Sequence, residues 1–238
     1  MQAEIPIVDL TGTFTRDAHA RLRVGRRIDR ICTEIGFFTI TGHGVRPDVM
    51  RDLNRKAHEF FALPIEEKQK VMPLDIKTPR GYKPVGYEAL GCGNAKIASP
   101  DLKEYYHFGR ESWPDETYFS SPEGRRYFIP NVWPQRPEGF REAAARYYAE
   151  MEKLAANLMR ITALGLGLEE HFFDDKIDRH ITAMRLNFYP DVKEPSEPGQ
   201  LRGGEHTDYG LLTILNGDNV PGGLQVKTRS GTWIDDRP

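Results

Sequence analysis

The chain has 238 residues, 39% hydrophobic and 29% charged, with 33 Lys and Arg against 35 Asp and Glu for a formal charge of −2. That length buries a real core in one large domain or two small ones. The balanced charge gives no electrostatic reason for a nucleic-acid or anionic-membrane partner, and no apolar run approaches the ~20 residues that a membrane span needs.

IPIVDL (5–10) reads as a short strand. Residues 15–35 have helical periodicity, with Leu22, Ile28, Ile31 and Ile35 as the buried stripe. Arg21, Arg23, Arg26, Arg27 and Arg30 spread around this helix among Asp29 and Glu34, which is the pattern of a solvated face. The β-branched and aromatic run after Gly36 predicts a strand at Phe37–Ile40. Residues 47–62 are helical again. Another helix spans 63–71, with Pro64 in its first turn and Glu66 and Glu67 near the positive end of its dipole. Residues 73–100, rich in Gly, Pro and Tyr, predict a long irregular segment, and such segments are often functional. The clearest helix covers 137–166, with Phe140, Ala144, Tyr147, Met151, Leu154, Leu158 and Ile161 on one face and Gly165 and Gly167 at its end.

After residue 180 the period becomes two. Strands are expected at 184–190, 206–215, 224–226 and 232–235, the last two paired through the RSG turn. Helices first and strands later predict an α+β fold with helices packed on an antiparallel sheet. The two cysteines, Cys32 and Cys92, make neither a disulfide framework nor a CxxC pair. MQAEIPIVDL has no signal-peptide pattern, so a cytoplasmic setting is expected.

In a strand, residues i and i+2 share a face. GGEHTDYGLLTIL (203–215) therefore presents the imidazole of His206 beside the carboxylate of Asp208. One nitrogen and one hard oxygen donor suit Fe(II), Mn(II) or Zn(II), although a polar strand entrance has the same three residues. In MRLNFYP the same alternation puts Arg185, Asn187 and Tyr189 on one face and Met184, Leu186 and Phe188 on the other. A polar face within a core needs partners, because an unpaired buried polar group costs about 1–3 kcal/mol.

IPIVDL, ICTEIGFFTITGHGV, FFALPIEEK, RGY, PDLKEYYHFG, LNFYP, HTDYGLLTIL, GGLQV and GTWID occur in that order. With them the chain resembles, over nearly its whole length, the isopenicillin N synthase-like branch of the iron- and 2-oxoglutarate-dependent oxygenases. The resemblance implies a distorted double-stranded β-helix (jelly roll) flanked by helices. Residues 1–115 would form an N-terminal α/β region of the non-haem dioxygenase type, and 116–238 a helix plus the first half of the jelly-roll domain. Two histidines and a carboxylate would hold Fe(II), with His206 and Asp208 as the first two ligands. Open positions would take 2-oxoglutarate and O2, and 2-oxoglutarate would leave as succinate and CO2 while a small-molecule substrate is oxidised, most commonly hydroxylated.

By the same resemblance Asn187 and Tyr189, with Arg185 beside them, would bind 2-oxoglutarate. Arg80, Tyr82, Tyr87, Tyr106 and Phe108 would line the substrate pocket, and two tyrosines with an arginine suggest an aromatic or amphipathic substrate carrying an acidic group. The third ligand, a histidine, and an Arg-x-Ser anchor for the cosubstrate are expected beyond Pro238, together with the rest of the barrel. Of the histidines upstream, His171 sits in the acidic LEEHFFDD, His43 in a turn and His107 on a strand-like stretch suited to substrate contact. Two alternatives remain at this point: a non-catalytic jelly-roll protein that binds a ligand or partner, and an oxidase of the same fold that does not use 2-oxoglutarate.

Overall fold

A computed structural model of the protein describes residues 4–15, 17–90, 99–191, 200–218 and 223–235. Cys92 lies outside them. The fold is α+β. In chain order the elements are β1 (Ile7–Asp9), α1 (Ala18–Glu34), β2 (Thr39–Thr41), α2 (Pro47–Phe61), α3 (Ile65–Gln69), β3 (Gly81–Lys83) and β4 (Glu104–Gly109). They continue with α4 (Thr117–Ser120), α5 (Phe140–Gly165), α6 (Asp174–Ile177), β5 (Ala183–Phe188), β6 (Gln225–Lys227) and β7 (Trp233–Asp235). No helix among the described residues is long and apolar enough to cross a membrane.

The chain divides into two compact units that interleave along the sequence: 1–46 with 150–180 and 212–238, and 47–149 with 181–211. The N-terminal part of α5 belongs to one unit and its C-terminal part to the other.

In the first unit β1 and β2 are parallel neighbours, Ile7 facing Thr39 and Asp9 facing Thr41. They form a two-stranded sheet of their own, parallel because α1 carries the chain back as a crossover. Asp17 caps α1, its carboxylate accepting from the amides of His19 and Ala20 at 2.9 and 3.1 Å. Ile28 and Ile31 are buried and Leu22 and Ile35 half-buried, while Arg23, Arg26, Arg27 and Arg30 face solvent. Gly25 is needed for close approach: a Cβ there would sit 2.6 Å from the Ile161 carbonyl oxygen and 2.8 Å from the Gly165 nitrogen. Asn157 on α5 bonds Thr13 at 2.8 Å. β6 and β7 form the expected hairpin, with Val226 opposite Ile234 and Gly231 in the turn at φ +85°.

In the second unit β3, β4 and β5 form an antiparallel sheet in that order. β3 falls inside the stretch expected to be irregular throughout. One side of the sheet packs an aromatic core. The Phe60 ring lies 5.2 Å from Tyr106, 6.1 Å from Tyr82 and 5.4 Å from Phe140, and Phe61 stacks on Phe188 at 5.1 Å. Each such aromatic contributes about 1.5–3 kcal/mol by leaving water. A buried ion pair lies beneath: Lys68 Nζ is 2.7 Å from Glu104, whose carboxylate also accepts the Tyr82 hydroxyl.

The strand expected at 206–215 does not form. These residues run as turns and irregular chain. Alternation alone does not make a strand, whose N–H and C=O groups need a paired ladder. Among the described residues no strand pairs with this segment.

Candidate metal centre and substrate face

Residues directly opposite in an antiparallel pair project to the same side. Arg185 faces His107 and Asn187 faces Tyr105, while Gly81 faces His107 and Lys83 faces Tyr105. One side of the sheet therefore carries Lys83, Tyr105, His107, Arg185 and Asn187. The other carries Tyr82, Glu104, Tyr106, Phe108, Leu186 and Phe188 and is the core side. The polar face of β5 is exposed rather than buried, so it needs no bound dicarboxylate to satisfy it.

The Arg185 guanidinium lies 4.3 Å from the Tyr105 ring centroid, and its Nη1 donates to Glu88 at 2.9 Å. Glu88 also meets Lys103 Nζ at 2.9 Å, and Lys103 meets Asp101 at 3.0 Å. Asp101 Oδ2 accepts from the Leu90 amide at 3.3 Å, and Oδ1 accepts from the Gly204 amide at 3.1 Å. His107 is flanked by Arg185, Arg80 and Lys83. Burial, then those charges, pull its pKa down to about 3, so it is neutral at physiological pH. Burial lowers the Lys83 ammonium to about 8. Its Nζ donates to the carbonyls of Ile76 and Thr78 at 2.6 and 2.8 Å.

Gly204 leads into His206, whose Nδ1 lies 2.7 Å from the Gly204 carbonyl oxygen. A carbonyl only accepts, so Nδ1 carries a proton, and Nε2 is the ring nitrogen left to serve as a metal donor. Nε2 lies 3.3 Å from Asp208 Oδ1, and the two side chains are 40% and 46% exposed. Two donors about 2.1 Å from one ion, on adjacent octahedral positions, sit roughly 3 Å apart. The pair thus fits a divalent ion without strand geometry. No group of three or more His, Cys, Asp or Glu side chains suited to a metal occurs among the described residues. His171 pairs with Asp174 at 2.8 Å and His180 with Glu152 at 3.0 Å. Tyr189 stands beside this approach: its hydroxyl would be 4.0 Å from a Cβ at Gly203.

The residues expected to line the substrate pocket separate. Arg80 is 5% exposed, and its guanidinium donates to the carbonyls of Pro79, Tyr127 and Ile129. Tyr82, Tyr106 and Phe108 lie in the core, each at most 1% exposed. The Tyr106 hydroxyl donates to the Val132 carbonyl, and Phe108 packs on Trp133 at 5.4 Å. Only Tyr87 stays on the polar side, its ring 6.4 Å from Tyr105 and its hydroxyl on the Ile76 carbonyl at 2.8 Å. Tyr106 and Phe108 alternate along β4 with Tyr105 and His107, and in a strand a step of one residue exchanges faces. Tyr105, Glu88, Asp101 and Lys103 were not anticipated. The alternating charges of PDLKE beside an aromatic strand were the available signal.

Residues 5–136 match the family model described as non-haem dioxygenase in morphine synthesis N-terminal, and 181–238 match that of the 2OG-Fe(II) oxygenase superfamily. The chain belongs to the 2OG-Fe(II) oxygenases. Among relatives, the 2-oxoglutarate-Fe(II) type oxidoreductase hxnY of Emericella nidulans is 33% identical over 98% of this chain and 66% of its own length. A homoarginine-6-hydroxylase of Glycine max is 31% identical over 99% of this chain and 72% of its own. A full-length Neurospora crassa protein, whose crystal structure is a complex with alpha-KG, superposes with a TM-score of 0.81 at 32% identity, covering 98% of this chain and 70% of its own. This oxygenase-family chain thus spans about two thirds of the length of the relatives it matches. The likeness places its α+β fold among proteins with a jelly-roll core.

Proposed function

We propose that this chain belongs to an Fe(II)- and 2-oxoglutarate-dependent oxygenase that hydroxylates a small molecule, with His206 and Asp208 as two of its iron ligands. The observation that carries the reading is the 3.3 Å approach of His206 Nε2 to Asp208 Oδ1, with Nδ1 already engaged by the Gly204 carbonyl. That arrangement aims two donors of the right kind at one point. When bound, iron would activate O2 at the expense of 2-oxoglutarate, which leaves as succinate and CO2. Asn187 and Tyr189 would hold the cosubstrate, Asn187 by its exposed amide and Tyr189 by the hydroxyl beside Gly203.

The substrate would lie on the polar side of the sheet, over Tyr87, Tyr105, His107 and Arg185. Relatives named for homoarginine or crystallised with thymine take chemically unlike molecules, so the choice falls to this face. The Arg185 guanidinium is fixed over Tyr105 and its side chain is 34% exposed, which favours a substrate with an acidic group. Neutral His107 would accept or donate one hydrogen bond. A cytoplasmic setting is part of the same proposal, in keeping with the exposed free thiol of Cys32.

The test is Fe(II)-dependent conversion of 2-oxoglutarate to succinate by the full-length protein. His206→Ala and Asp208→Ala are expected to lose both metal binding and turnover. Metal-independent behaviour, or retention of metal by both variants, would remove the reading.

A further inference from the structure

We infer that Asp101 is the positioning residue of the iron ligand His206, acting through the backbone of Gly204. This rests on the reading of His206 as a ligand. The Gly204 backbone is held on both sides of its Cα: its N–H donates to Asp101 Oδ1 at 3.1 Å, and its carbonyl accepts from His206 Nδ1 at 2.7 Å. The imidazole orientation thus depends on where this one residue sits. No strand ladder fixes it, because the segment is irregular. A side-chain anchor must therefore do what pairing does elsewhere.

Asp101 is built for that task. Its side chain is 3% exposed and Lys103's is 2%. The two carboxylate oxygens divide the work. Oδ2 meets Lys103 Nζ at 3.0 Å and the Leu90 amide at 3.3 Å, while Oδ1 is turned to Gly204. Lys103 in turn is shared with Glu88 at 2.9 Å. The ammonium gives the carboxylate a charged partner, and hydrogen bonds to a charged acceptor are the stronger ones. A buried pair with no purpose beyond stability gains little over apolar packing, so the use of the second oxygen on the ligand loop is the informative part.

The experiment compares the full-length wild type with Asp101→Glu and Glu88→Gln. Mn(II) affinity is read by EPR titration, and Tm is read alongside. Asp101→Glu keeps the charge for Lys103 but displaces the carboxylate by a methylene. It is expected to weaken Mn(II) binding about 10–100-fold with a small change in Tm. Glu88→Gln weakens the buried chain away from Gly204 and is expected to hold Mn(II) within about threefold of wild type. Equal Mn(II) affinity in Asp101→Glu and wild type overturns the inference, as does an equal loss in both variants. Wild type that binds no Mn(II) overturns the ligand reading and this inference with it, a different result from the other two. If Asp101→Glu does not fold, hydrogen exchange of the Gly204 amide in wild type decides. Strong protection supports the anchor, and exchange at the rate of the neighbouring exposed amides refutes it.

Discussion

Replacing Lys68 by Met isolates the buried charge pair under the sheet. Lys68 Nζ lies 2.7 and 2.9 Å from the two Glu104 oxygens and 3.1 Å from the Phe61 carbonyl, with the side chains 9% and 6% exposed. Methionine keeps an unbranched apolar stem one atom shorter and removes the charge and all three donors. Glu104 would then retain the Tyr82 hydroxyl, which burial and the carboxylate itself keep protonated by raising its pKa. Breaking a buried pair from one side costs about 3–5 kcal/mol. The added apolar burial offsets roughly 1 kcal/mol of that, leaving an expected loss of about 2–4 kcal/mol. Against a total of about 5–15 kcal/mol this is large.

Adding Glu104→Gln to Lys68→Met removes the stranded charge while an amide oxygen still accepts from Tyr82, so much of the loss is expected to return. Urea denaturation followed by tryptophan fluorescence measures it, since Trp113 and Trp133 both lie in this unit. A loss below about 0.5 kcal/mol for Lys68→Met, or a double variant equal to the sum of the single ones, would refute the account.

Two further outcomes follow from the geometry. Gly25→Ala is expected to destabilise by about 1–3 kcal/mol, because its methyl meets backbone atoms at 2.6 and 2.8 Å. The helix-propensity gain of about 1 kcal/mol does not compensate, and a Tm at or above wild type would contradict this. His107, held neutral to about pH 3, gives a pH dependence of defined sign. Below its ordinary value of 6.5 the unfolded chain binds a proton that the folded chain refuses. Its contribution is therefore full above pH 6.5 and falls between 6.5 and 3, by up to about 1.4 kcal/mol per pH unit. His107→Gln should flatten denaturant midpoints in that window, and an unchanged slope would count against it.

What was legible in the sequence was what depends on local pattern. The face of α5 from Phe140 to Ile161 repeats at helical spacing, and all but Met151 of its expected stripe is buried. The β6–β7 hairpin follows from its turn chemistry around Gly231. The juxtaposition of His206 and Asp208 was also foreseen, although for a different reason. Strand alternation was expected to bring them together, whereas an irregular segment held by Gly204 does so. What was not legible depended on partners distant in sequence. Whether Tyr105 or Tyr106 faces the polar side is decided by register against Asn187 and Leu186. That Arg80 is spent on carbonyls is decided by residues 127–129. Asp101 bonds an amide 103 residues away.

The two-sided sheet also divides sequence space for laboratory evolution. Along β4 and β5 the odd-numbered positions 105, 107, 185 and 187 share the polar side, and the even-numbered positions 104, 106, 108, 186 and 188 share the core. If the substrate lies on the polar side as proposed, a library restricted to odd positions would vary what the protein accepts while leaving the aromatic packing on Phe60 and Phe61 in place. The same library moved by one residue would consume its diversity in misfolded clones. On that proposal, retargeting and stabilising this family member are separable engineering problems, written on alternate residues of the same strands.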